Sequence, residues 1–93
     1  MELKYTRPFL NKLEDIFAES DFVLRYEKGN FKAGYCVLKD MKVAVVNKYY
    51  SLEGKVNCLH DILRSIALDE SRLSDKNRQL YHDIRNHESS NGK

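Results

Sequence analysis

The segment 21–50, DFVLRYEKGNFKAGYCVLKDMKVAVVNKYY, decides what kind of fold this chain adopts. It divides into three apolar-rich runs, DFVLRYEK (21–28), NFKAGYCVL (30–38) and MKVAVVNKY (41–49), separated at Gly29-Asn30 and at Lys39-Asp40. Runs of this length, rich in β-branched and aromatic residues and bounded by turn-forming pairs, read as strands, and separations this short read as hairpins. The expectation is a three-stranded antiparallel meander. With two-residue loops, Tyr26 faces Ala33, Leu24 faces Tyr35, Val37 faces Lys42 and Tyr35 faces Ala44, and the alternation of side chains then fixes both faces. One face carries Phe22, Leu24, Tyr26, Phe31, Ala33, Tyr35, Val37, Ala44 and Val46. The other carries Val23, Cys36, Leu38, Met41, Val43 and Val45, together with Arg25, Glu27, Lys32 and Asn47.

Working outward, the residues on either side have helical periodicity. Upstream, Thr6 can cap a helix over 8–19, Pro8 suits its first turn, and Phe9, Leu10, Leu13, Ile16 and Phe17 recur on one face. Downstream, Ser51 can cap a second helix, LEGKVNCLHDILRSIAL, with Leu52, Val56, Leu59, Ile62, Leu63 and Ile66 as a wide apolar stripe. Gly54 weakens its first turn and allows the helix to begin a few residues later. A third helix opens at Ser74 or Ser71, runs to about Arg85 and has Leu73, Leu80, Tyr81 and Ile84 to bury. The order is α-β-β-β-α-α, an α+β class in which helices pack on an antiparallel sheet. Residues 1–86 read as one domain, and the polar stretch HESSNGK, 87–93, as a disordered tail.

At 93 residues the chain is one domain, near the size at which a second subunit often supplies missing burial. An apolar share of 42% beside 32% charged residues is ordinary for a soluble protein, and no apolar run approaches the roughly 20 residues of a membrane span. The N-terminus lacks the features of a secretory signal, so a cytoplasmic location is expected. Cys36 and Cys58 fall within a strand and a helix, and read as reduced, buried thiols.

The stretch NCLHDILRSI, 57–66, places a histidine and an acid side by side on a helix that follows an apolar strand. The run KVAVVNKYYSLEGKVNCLHDILRSI, roughly 42–67, resembles one passage of the ImmA/IrrE type of bacterial zinc metallopeptidase, in which a strand ending in asparagine leads into a helix bearing HExxH. That motif needs two histidines one turn apart to share a zinc, and a glutamate to polarise the attacking water. The matching positions here read His60, Asp61 and Arg64. Arginine cannot ligate a cation and aspartate is one methylene short, so His60 is the only ligand candidate left and an active peptidase of this class is not expected. Cys58 and His60 point about 200° apart on a helix, and His82 and His87 lie five apart near a helix end. A Cys36/His60 nucleophile pair has no orienting group or oxyanion hole marked beside it. The reading that remains is a half-exposed His60 on the polar flank of the second helix, with Asp61 and Arg64 paired at the surface. No catalytic residue, cofactor or metal is expected. The whole chain, with its block LRYEKGNFKAGYC from Leu24 to Cys36, also resembles a small bacterial family to which no activity is attached, and the resemblance implies a shared fold and a bacterial source.

Two binding readings follow. Six lysines and arginines against two acids lie between residues 22 and 50, interleaved with six aromatic rings, a composition that can bind single-stranded nucleic acid. Four of those rings, Phe22, Tyr26, Phe31 and Tyr35, share the face that the helices should cover, and a net charge of +2 is low for a dedicated binder. Lys42 and Lys48 are then the natural phosphate contacts. The other reading starts from the aliphatic strip Val23, Cys36, Leu38, Met41, Val43 and Val45, which a monomer this small rarely leaves in water. Either the third helix covers it or a second chain does, and a homodimer through this face or an edge strand is expected. Tyr49, Tyr50, His60, Asp61 and Arg64 would frame a surface for a further protein partner. The expected function is a non-enzymatic interaction or assembly protein.

Overall fold

The computed structural model describes residues 3–29, 31 and 33–86, and the tail expected over 87–93 lies outside the described residues. Along the chain come α1 (Arg7–Glu19), β1 (Val23–Glu27), β2 (Tyr35–Leu38), β3 (Val43–Asn47), α2 (Leu52–Ser65), a single 3-10 turn (Glu70–Arg72) and α3 (Asp75–Arg85). The class and the order of elements are those expected.

Each helix begins at an oxygen that takes up one of the N–H groups a first turn leaves without an internal partner. Thr6 accepts from Phe9 N–H at 3.2 Å, Ser51 from Gly54 N–H at 3.1 Å, and Ser74 from Asn77 N–H at 3.3 Å. The Ser51 cap is strong enough that α2 starts at Leu52 despite Gly54. All five apolar residues assigned to the buried face of α1 are buried, as are Val56, Leu59, Ile62 and Leu63 of α2 and Tyr81 and Ile84 of α3.

The sheet is mixed, with strand order β1-β3-β2, and this corrects the meander. β3 lies in the centre, parallel to β1 and antiparallel to β2. The composition of β3 supplies the physical reason: VAVV is a near-continuous apolar run suited to a strand paired on both sides, whereas β1 carries Arg25 and Glu27 and tolerates an edge. Gly29 therefore does not open a hairpin but begins a crossing that carries the chain past β3. Asn47 holds that crossing: its Nδ2 donates to Gly29 O at 3.3 Å and its backbone N–H to Gly34 O at 2.9 Å. Gly34 itself has φ +85°, and a Cβ there would sit 2.3 Å from the Tyr50 ring, so both its conformation and the space demand glycine.

The β2–β3 hairpin exists, but its turn spans 39–42 rather than two residues, and Val37 pairs with Ala44 and Tyr35 with Val46. This is a slip of two from the expected register, and a slip of two returns every side chain to the same face. The two faces consequently survive the change of topology. Ala44 and Val46 are fully buried on the inner face, with Leu24, Tyr26, Tyr35 and Val37 packed beside them against the core. α1 lies on β1, α2 on β3, and α3 packs on α1 and α2.

Candidate functional site

The outer sheet face is the most unusual surface of the molecule. The pairing sets Val23, Val43 and Leu38 side by side in one cross-strand row, and Arg25, Val45 and Cys36 in the next. Met41 lies beyond the first row, in the β2–β3 turn. Val23 is 55% exposed, Leu38 43% and Met41 70%, while Cys36, Val43 and Val45 are half-buried by their neighbours. The third helix, one of the two elements that could have covered this strip, is instead occupied with α1 and α2.

Charged groups confine the strip at both ends. At one end Lys42, held at φ 55° in the turn, pairs through Nζ with Asp21 Oδ2 at 2.6 Å. At the other, Arg25 Nε pairs with Glu27 Oε2 at 2.6 Å. The lysine hydrogen bond holds the Asp21 carboxyl below the usual carboxylate range. The result is an uncharged aliphatic band between two ion pairs. Glu27 and Asn47 complete the far end of the face.

The second group of expected site residues does not form one surface. Tyr49 is exposed, with Lys48 Nζ 5.3 Å from its ring centre, whereas Tyr50 is half-buried and wedged between Gly34 and Gly54. His60 is 5% exposed, which corrects its placement on a polar flank: α2 is enclosed by α1, α3 and β3, so its buried arc is wide enough to take in Cys58 and His60 as well as the aliphatic stripe. Asp61 and Arg64 are exposed as expected. Although Asp61 is exposed as a residue, partial desolvation of its carboxyl raises its pKa, and the charge of Arg64 works against that rise.

Sequence reasoning missed that Asp61 lies close enough to Tyr35 and Cys58 to influence both. Burial first, and the Asp61 charge second, push the Tyr35 phenol and the Cys58 thiol up. Cys58 Sγ donates to Ala33 O at 3.7 Å. A raised thiol pKa is the reverse of what an activated cysteine nucleophile requires. Cys36 shares the outer face with Val45, so the sheet stands between it and α2, and the Cys36/His60 pair is not brought together. Among the described residues no group of three or more histidine, cysteine, aspartate or glutamate side chains is placed to hold a metal ion. No described helix is long and apolar enough to cross a membrane.

Other polar groups serve the fold. Tyr81 O–H donates to Ile66 O at 2.8 Å and accepts from Leu68 N–H at 3.1 Å, closing the end of α2 onto α3, with Arg85 also donating to Ile66 O. Buried Asn77 donates to Asp15 Oδ2 at 2.8 Å and ties α3 to α1. Half-buried Tyr26 donates to Glu14 Oε2 at 2.5 Å, with Lys55 Nζ 5.1 Å from its ring centre. Comparison with protein-family models, with curated proteins and with solved structures returned no match.

Proposed function

We propose that this protein is a small non-enzymatic interaction or assembly protein that self-associates as a homodimer through the outer sheet face. The observation that carries this reading is the row Val23, Val43, Leu38, exposed at Val23 and Leu38, together with exposed Met41, lying opposite the helical layer. Contiguous exposed apolar surface of this kind marks interfaces. The choice of a second copy as occupant rests on charge. A two-fold interface must match its own surface, and an uncharged strip between two ion pairs meets itself without opposing like charges. The likeness of Leu24 to Cys36 to a bacterial family supports a bacterial source. The peptidase-like passage has a structural role in this reading, because its strand-ending Asn47 secures the crossing between β1 and β2.

Nucleic-acid binding has less support: Lys42 is committed to Asp21, and Phe22, Tyr26 and Tyr35 are packed into or against the core. Lys48 and Tyr49 offer an exposed base and ring at the end of the sheet.

Light scattering on a sizing column across a concentration series tests the proposal. A dimer is expected for the native chain, with Leu38→Glu weakening association by at least tenfold, about 1.4 kcal/mol. A native chain that stays monomeric at every concentration, or a Leu38→Glu variant that dimerises unchanged, would remove this reading.

A further inference from the structure

A groove of about 500 Å³ lies on the opposite side of the molecule from the strip, between the start of α1 and the length of α3. Its volume is in the range of sites that hold small organic molecules. Pro8, Phe9 and Leu80 supply an apolar floor, and Lys4, Lys12 and Lys76 stand around it. Phe9 is buried, so the floor is recessed rather than flush with the surface.

The electrostatics are one-sided. None of the three lysines is in an ion pair with a described residue. The single carboxylate in the lining, Asp83, accepts a hydrogen bond from Gln79 Nε2 at 3.0 Å. Asp15 faces the adjoining hollow that Lys12 and Lys76 also line, and it is engaged by Asn77. Three cations against one acid around an apolar recess form a site that favours an anion and rewards burial of a hydrocarbon body. Lysines are point charges without the planar fork of arginine, which suits a single compact acid group.

We propose that this groove binds a small organic carboxylate with an apolar body, its chain lying on Phe9, Pro8 and Leu80 and its acid group among Lys4, Lys12 and Lys76. The recess favours a free acid over a bilayer surface, because the chain must enter between two helices to reach Phe9. This site is independent of the sheet face and of any dimer formed there.

Sodium octanoate, titrated into the isotope-labelled full chain and followed by amide NMR, is the test. Saturable shifts are expected at Phe9, Lys12, Lys76 and Leu80, with acetate and octylamine leaving those amides in place. Lys12→Glu with Lys76→Glu should weaken octanoate binding about tenfold or more; should that pair disturb folding, Lys4→Glu, outside every helix, should weaken it in the same direction. No saturable response, an equal response to octylamine, shifts confined to Val23, Leu38 and Met41, or a response only to anionic phosphatidylglycerol vesicles would each overturn the proposal.

Discussion

The two faces of the sheet are built from the same kinds of residue and meet opposite fates. Ala44 and Val46 are fully buried beneath the helices, while their immediate neighbours Val43 and Val45 lie on a face whose margins, Val23, Leu38 and Met41, are largely exposed. In a sheet with one solvated side, the outward positions are normally polar. Here they are aliphatic across the whole first cross-strand row and at Val45 and Cys36 of the second, and become charged at Arg25 and Glu27. Burial within the chain explains the inner face and leaves the outer one without a cause. The difference teaches that residue type alone does not assign a face: the helical layer does, and what it leaves uncovered is the surface on which the proposed self-association rests.

The sharpest way to break this comparison is to place the same charge on each face. Val46→Asp would bury a carboxylate under α1 and α2 at a cost of about 4 kcal/mol or more, enough to unfold much of a domain this size. Val23→Asp should leave the circular dichroism spectrum and melting temperature close to native and act only on association. If the two variants were equally destabilised, Val23 would have to be buried in the folded chain, and the exposed strip would lose its meaning.

A second, smaller effect addresses how β3 comes to lie between the other strands. Gly34→Ala forces a left-handed φ on a residue with a Cβ and drives that atom into the Tyr50 ring, and should cost about 1–3 kcal/mol in chemical denaturation. A neutral result would mean that the crossing between β1 and β2 takes another path.

That crossing is also where the limits of the sequence lie. Helix positions and caps were legible because Thr6, Ser51, Ser74 and the apolar spacing behind them act over a few residues. The face assignment of Leu24, Tyr26, Val37 and Val46 was legible because a period of two survives both the altered strand order and the longer hairpin turn. Strand order was not, since Gly29-Asn30 looks the same whether the chain turns back or crosses over, although the unbroken VAVV of β3 was a signal for the central position. His60 was misplaced because a helix against one sheet has a polar flank, and α2 has three neighbours. The lysine groove assembles residues from opposite ends of the chain, and no local pattern announces it. The shared face of Val23, Cys36, Leu38, Val43 and Val45 was legible because it needs only the alternation.

The smallest expected effect is a pH dependence arising at the perimeter rather than on either sheet face. Glu19 accepts Ser74 N–H at 2.8 Å, Asp21 accepts from Lys42 and from Asp69 N–H, and Asp69 accepts from Ser71; these bonds hold all three carboxyls below their ordinary values. A depressed folded-state pKa gives stability that is present above the unfolded value, about 4 for these groups, and is lost as pH falls through the folded value. Asp61, raised by burial, works in the opposite sense: its contribution is present at low pH and is lost as pH rises through its folded value. With three groups against one, the melting temperature should decline below about pH 4. Asp21→Asn should flatten that decline. Because the apolar faces do not titrate, a dimer that dissociated in acid before the chain began to unfold would show that the ion pairs bounding the strip, Lys42 with Asp21 and Arg25 with Glu27, hold the interface together. The aliphatic residues between them would then be secondary.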